Sequence, residues 1–190
     1  AVCSTCFRHC VLEEEGVGFC RARYNHNGKV TVRNYGQLTA LALDPVEKKP
    51  LKMFYPGTYI LSIGSYGCNL RCPFCQNYEI SQVGSETVTE YMSPSDLADK
   101  AVQLKTNGNI GIAYTYNEPL VGWEYVRDTE KIVREKNMKN VIVTNGCVSS
   151  AVLDEVLPYT DAMNIDLKGQ VAVVTGGSGG IGYAIAQSFI

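Results

Sequence analysis

The sequence predicts an α/β protein: an incomplete (β/α) barrel with a small N-terminal cysteine-rich metal-binding region and a C-terminal β-α fragment. Three observations predict it. Residues 58–166 alternate short apolar strand patterns with amphipathic helical ones, which implies parallel strands joined by helical crossovers. Residues 1–57 instead form an irregular leader holding Cys3, Cys6, Cys10 and Cys20. Composition then changes abruptly at Gly169, and from there to Ile190 no residue is charged and six are glycine. The domain boundaries expected from these shifts are 1–57, 58–168 and 169–190.

The leader carries a turn at Asn25-His26-Asn27-Gly28 and strand candidates at Val30–Val32 and Leu38–Leu43. A basic loop is expected at Asp44–Pro50. Tyr59–Ile63 reads as a buried strand. Ser93–Lys105 opens with Ser-Pro and places Leu97, Ala98, Ala101, Val102 and Leu104 at helical spacing, so it reads as a capped helix. Asn109–Tyr116 reads as a strand, Val121–Lys136 as a helix and Asn140–Thr144 as a strand. A short helix at Ser149–Leu157 leads to a strand at Asp161–Leu167. In barrels of this kind function collects at the C-terminal strand ends. The loops to watch are therefore those after residues 63, 116 and 144.

Bulk properties narrow the function. Of the 190 residues, 45% are hydrophobic and 19% charged, ordinary for a chain that buries a core. Net charge is −2 with no long basic run, so neither nucleic acid nor an anionic membrane surface is an expected partner. No signal peptide or bilayer-length apolar run is present, and a cytoplasmic location is expected. The chain starts without Met, two residues before a cysteine, which suggests a removed N-terminal piece. Eight cysteines on a chain patterned with helix and strand fit metal ligation in a reducing compartment better than a disulfide scaffold.

Cys68-Asn69-Leu70-Arg71-Cys72-Pro73-Phe74-Cys75 is a C-x3-C-x2-C triplet directly after the first barrel strand. Three thiolates in one short loop can hold a [4Fe–4S] cluster and leave one iron open for a small molecule. Structural zinc with a fourth ligand from elsewhere is the rival, but zinc motifs usually pair two C-x2-C units. The spacing, with an aromatic before the third cysteine, is the signature of radical S-adenosylmethionine (SAM) enzymes. Around it stand Cys3-x2-Cys6-x3-Cys10, Gly18-Phe19-Cys20-Arg21-Ala22-Arg23 and Asp44-Pro45-Val46-Glu47-Lys48-Lys49-Pro50-Leu51. Further on come Tyr114-Thr115-Tyr116-Asn117-Glu118-Pro119 and Asn164-Ile165-Asp166-Leu167-Lys168. Over residues 1–168 the chain resembles the radical SAM protein of the AmmeMemoRadiSam system, a relative of the pyruvate formate-lyase activating enzymes.

That resemblance implies reductive cleavage of SAM to a 5′-deoxyadenosyl radical, followed by hydrogen-atom abstraction from a substrate, as in glycyl-radical-enzyme activases. It implies an external one-electron reductant and allows a protein substrate. Cys68, Cys72 and Cys75 are then the cluster ligands, and Phe74 lies beside the SAM adenine. Asn117 and Glu118 stand where activating enzymes have a Gly-Gly-Glu motif receiving the SAM amino group, with Tyr116 and Asn117 replacing the glycines. Asp166 and Lys168 match an Asp-x-Lys motif that helps hold a cation and SAM. Where those enzymes often place Asp before Thr-Asn-Gly, this chain has Val143.

Cys3, Cys6, Cys10 and Cys20 supply four thiolates, enough for structural zinc or a second iron–sulfur cluster. The tail, Val171–Val174 followed by Thr175-Gly176-x3-Gly180-Ile181-Gly182, resembles the Rossmann-like opening of a short-chain dehydrogenase. The ribose-reading position and the catalytic residues of that family do not follow, so NAD(P) binding is not expected. This predicts a chimera, joined at Leu167-Lys168-Gly169, that cuts the barrel short and leaves weak or no activity. Two other functions stay in view: a non-enzymatic zinc-binding scaffold, and an NAD(P)-dependent short-chain dehydrogenase fragment.

Overall fold

The computed structural model describes residues 1–51 and 53–167. Lys168 and the glycine-rich stretch 169–190 lie outside the described residues, and with them the expected Rossmann-like fragment. In chain order the strands are β1 (Arg23–His26), β2 (Lys29–Val32), β3 (Gln37–Leu38), β4 (Ala40–Pro45), β5 (Tyr59–Gly64), β6 (Glu90–Tyr91), β7 (Asn109–Tyr114), β8 (Lys139–Thr144) and β9 (Ala162–Ile165). The helices are α1 (Tyr78–Ser81), α2 (Pro94–Gln103), α3 (Trp123–Glu135) and α4 (Ser150–Val156).

The expected turn at Asn27-Gly28 closes the β1–β2 hairpin, with His26 opposite Lys29. Both turn residues have positive φ, 52° and 75°, the two-residue geometry that matches strand twist and favours Asn-Gly. The single strand expected over Leu38–Leu43 is two. Thr39 spends its N–H on Gly64 O and its hydroxyl on Ser65 O, both at 2.9 Å. On either side of it the chain changes partner, β3 pairing with β6 and β4 with β5.

Five strands form the central sheet in the order β4-β5-β7-β8-β9. The β5–β7, β7–β8 and β8–β9 pairs are parallel, as the alternating pattern predicts, and β4 is an antiparallel edge drawn from the cysteine-rich leader. Successive strand residues point to opposite faces. Leu61, Ile63, Ile112, Tyr114 and Ile142 face α2, α3 and α4, meeting Leu97, Ala101, Val126, Val133, Val152 and Val156 in one core. Ile60, Ala113 and Val141 face the other way, covered by Leu51 and Phe54 of the β4–β5 connection.

Local signals explain the boundaries. Ser93 caps α2 by accepting the Asp96 N–H at 3.2 Å, with Pro94 at the first helical position. Strand β7 stops two residues earlier than expected because Tyr116 takes φ 70°, a left-handed conformation that ends the ladder. Residues Pro119–Gly122 make a 3₁₀ turn, so α3 begins at Trp123. The segment expected as a basic loop is exposed at Glu47, Lys48 and Pro50 but closed at Lys49. Lys49 is buried and its ammonium lies 2.8 Å from the Asp44 carboxylate, which also accepts Lys48 at 3.0 Å and the Tyr116 hydroxyl at 2.6 Å. Burial works to raise the Asp44 pKa, but those bonds outweigh it and hold the group well below the usual carboxylate range.

Candidate active site at the strand ends

Parallel pairing of Ile63 with Tyr114, Tyr114 with Ile142 and Thr144 with Ile165 aligns the C-terminal ends of four strands. Their loops share one edge. The cysteine loop follows β5, Tyr116–Glu118 follows β7, Asn145–Cys147 follows β8 and Asp166 follows β9.

Cys68, Cys72 and Cys75 are free thiols at intermediate exposure. The Leu70 N–H points at Cys68 Sγ at 3.4 Å, and Asn145 Nδ2 approaches it at 3.9 Å. Cys75 N–H donates to Cys72 O at 3.1 Å, tightening the second half of the loop into a turn. Burial pushes the Cys68 thiol up to about 11, with the charges of Glu118 and Cys72 adding to it. A bound metal would have to displace that proton. Phe74 is 69% exposed at the loop's outer side.

Asn117 and Glu118 turn inward. Asn117 Nδ2 donates to Gly67 O at 3.0 Å and Tyr66 O at 3.2 Å, while its Oδ1 accepts the Ser65 N–H at 3.1 Å, so it fastens the entry to the cysteine loop. Glu118 is buried, yet its carboxylate accepts the Thr144 hydroxyl at 2.6 Å and the N–H groups of Asn145 and Leu120 at 2.8 and 3.1 Å. Burial raises its pKa against those three bonds, with the Asp166 charge adding to the rise. Asp166 donates its N–H to Thr144 O at 2.8 Å and accepts Asn164 Nδ2 at 3.2 Å.

Two asparagines given no role of their own by the sequence, Asn69 and Asn145, organise this edge. Asn69 is fully buried between two of the cysteines. Its Oδ1 accepts Asn145 Nδ2 at 2.8 Å, and its own Nδ2 donates to Cys147 O at 2.8 Å. The signal was present: both asparagines sit inside motifs that had been singled out, Cys-Asn-Leu-Arg-Cys and Thr-Asn-Gly.

The four leader cysteines converge. Cys3 N–H donates to Cys10 O at 2.9 Å. Burial raises the Cys6 thiol, and Cys3 and Cys10 add to it; burial raises Cys20, and Cys3 and Cys6 add. Cys3, Cys6 and Cys20 are buried and Cys10 half-buried. Among the described residues the only trio of possible ligands with all donor atoms within 4.8 Å is Glu14, Glu15 and His26. Tetrahedral zinc with bonds of about 2.3 Å needs sulfurs about 3.8 Å apart, so the leader thiols must draw in to grip a single ion. The exposed trio has another explanation. Glu14 accepts the Asn27 and Gly28 N–H groups of the hairpin turn, and Glu15 pairs with His26 at 2.6 Å.

The residues fit an iron–sulfur group in donor chemistry: three thiols on one loop, with a backbone N–H already aimed at one sulfur. Comparison with known proteins points the same way. The chain is 44% identical over 168 residues to an uncharacterized protein, MJ0808, of Methanocaldococcus jannaschii, covering 88% of this chain and 49% of that protein. It is 23% identical over 123 residues to the 7-carboxy-7-deazaguanine synthase of the same organism, covering 60% of this chain and 49% of that enzyme. The chain thus spans about half the length of the curated relatives it matches. The family model of the Radical SAM superfamily matches residues 62–169, a span that takes in the cysteine loop and all three strand-end loops after it. That span exceeds half of the chain, and the protein belongs to the radical SAM superfamily.

Proposed function

We propose that this chain is a radical SAM enzyme module in which Cys68, Cys72 and Cys75 hold a [4Fe–4S] cluster and SAM occupies the strand-end edge. The observation that carries the reading is the placement of three half-exposed thiols beside the loops of Glu118, Asn145 and Asp166. With the cluster bound, that pair of cofactors supplies reductive cleavage of SAM to a 5′-deoxyadenosyl radical for hydrogen-atom abstraction.

The chain's own residues orient and enclose. Phe74 offers an exposed aromatic face for the adenine. Asn117 and Glu118 shape the edge that receives the SAM amino group, because their bonds fix the ends of β5 and β8 relative to each other. Asp166 and Lys168 complete the set as the proposed cation and SAM contacts. Leader residues Cys3, Cys6, Cys10 and Cys20 hold a thiolate-bound metal, zinc or a second cluster. An activase-like role within an AmmeMemoRadiSam-type system, with a protein substrate and an external reductant, is the finer form of this proposal. The dehydrogenase-like reading of 169–190 rests on its sequence pattern alone, the Val171–Val174 run followed by the glycine turn.

The test is anaerobic reconstitution with iron and sulfide, followed by addition of SAM and dithionite. Iron bound at the loop and 5′-deoxyadenosine in the product support the reading. A folded, iron-free, colourless protein that holds only zinc rejects it in favour of a metal-binding scaffold.

A further inference from the structure

The leader and the cysteine loop are built into each other. Gly67, just before Cys68, has φ 93°, and a Cβ there would lie 2.5 Å from Cys20 O. The loop thus enters its first ligand pressed against the backbone of a leader cysteine. Arg8, between Cys6 and Cys10, donates from Nε to Asn69 O at 2.6 Å. Its guanidinium lies 3.4 Å from the centroid of the Phe19 ring. Arg71, between Cys68 and Cys72, lies 4.5 Å from the same ring and donates to Phe19 O at 2.8 Å and Cys68 O at 3.0 Å. The β8 end joins them. Cys6 bridges Val148, and Ser149 N–H donates to Thr5 O at 2.9 Å.

Asn69 is where these ties meet. One residue, set between Cys68 and Cys72, bonds Arg8 of the leader through its carbonyl, and Asn145 and Cys147 of the β8 loop through its side chain. We propose that Asn69 and Arg8 are positioning residues that couple metal binding at Cys3, Cys6, Cys10 and Cys20 to cluster binding at Cys68, Cys72 and Cys75. This rests on the reading that the latter three hold a cluster. A metal that draws the leader thiols together fixes residues 3–10 and 18–20. Through Arg8 and the Cys20 backbone it then holds the Cys68–Cys72 segment in one arrangement. Coupling of this kind is reciprocal and commonly amounts to about tenfold in affinity.

The experiment compares wild type, Cys6→Ser, Arg8→Gln and the double variant, each loaded with zinc and then reconstituted with iron and sulfide. Two readouts are taken: the rate at which a chelator strips iron from the cluster, and the EPR spectrum of the reduced cluster. Cys6→Ser empties the leader; Arg8→Gln leaves every thiol in place and alters a half-exposed side chain, so the fold is retained. We expect each single variant to lose iron about tenfold faster and the double variant to be no faster than either, the non-additivity that marks one pathway. The wild-type EPR spectrum should change between zinc-loaded and zinc-free leader, and that of Arg8→Gln should not. Wild-type rates in Arg8→Gln, or effects that multiply in the double variant, overturn the coupling while leaving the cluster reading intact. A wild type that takes up no iron overturns both.

Discussion

The two cysteine groups differ in burial and in their place in the fold. Leader thiols Cys3, Cys6 and Cys20 are buried and drawn from an irregular segment, whereas Cys68, Cys72 and Cys75 stand half-exposed at the open end of a regular sheet. Four thiols, three of them buried, suit a closed site whose binding energy is folding energy. Three at a strand-end edge leave room for a small molecule. The comparison teaches that cysteine count alone does not distinguish the two groups; burial and placement relative to the sheet do.

The largest effect that could break this contrast comes from the loop. Cys72→Ser should abolish iron binding at the loop and 5′-deoxyadenosine formation while the leader still takes up metal, its affinity lowered by no more than the roughly tenfold of the coupling, read by metal analysis beside product assay. A loss at both sites would mean that the groups do not have separate tasks. Next, Cys20→Ser should act on stability before activity, since metal-linked folding energy is lost; the melting temperature should fall by roughly 10 °C or more. An unchanged melt would show the leader to be passive.

Glu118→Ala sharpens the contrast at the reactive edge. It strands the Thr144 hydroxyl and the Asn145 and Leu120 N–H groups, so it should cost roughly 2–4 kcal/mol in denaturant unfolding, with Glu118→Gln milder. A fourth prediction concerns a carboxyl remote from both groups. Glu130 is buried on α3, its Oε1 accepting Thr160 Oγ1 at 2.9 Å. Burial, opposed by that bond and assisted by Asp161, raises its pKa from 4.5 to about 8. The folded state therefore keeps a proton that the unfolded chain releases. Its contribution to stability is full below pH 4.5, declines through the interval up to about 8 and is then lost. Glu130→Gln should flatten that decline in pH-dependent unfolding curves. The smallest effect belongs to the exposed Glu14: Glu14→Gln should change stability by no more than about 0.5 kcal/mol and leave metal content untouched.

Much of the fold could be read in advance. Helical spacing and the Ser-Pro cap located α2, Asn-Gly located the hairpin, and the strand–helix alternation gave parallel pairing. Errors arose where tertiary partners overrode local pattern. Thr39 split a strand by bonding to the end of β5, and Lys49, expected only as part of a basic loop, is buried with Asp44 beside it. At the site, the position of the three thiols was legible, because their loop directly follows the strand pattern of Tyr59–Ile63. Asn69 and Asn145 were not, since an asparagine earns its role only through partners distant in sequence. The closeness of the two cysteine groups was likewise invisible, because Gly67 meets Cys20 across the fold.

The central claim is that the Cys68–Cys75 loop presents a cluster with an iron open to SAM. The most direct measurement is low-temperature EPR of the anaerobically reconstituted, reduced protein with and without SAM. The account predicts a [4Fe–4S]⁺ signal that shifts when SAM is added. A cluster signal indifferent to SAM, or no cluster signal in folded protein, would contradict it.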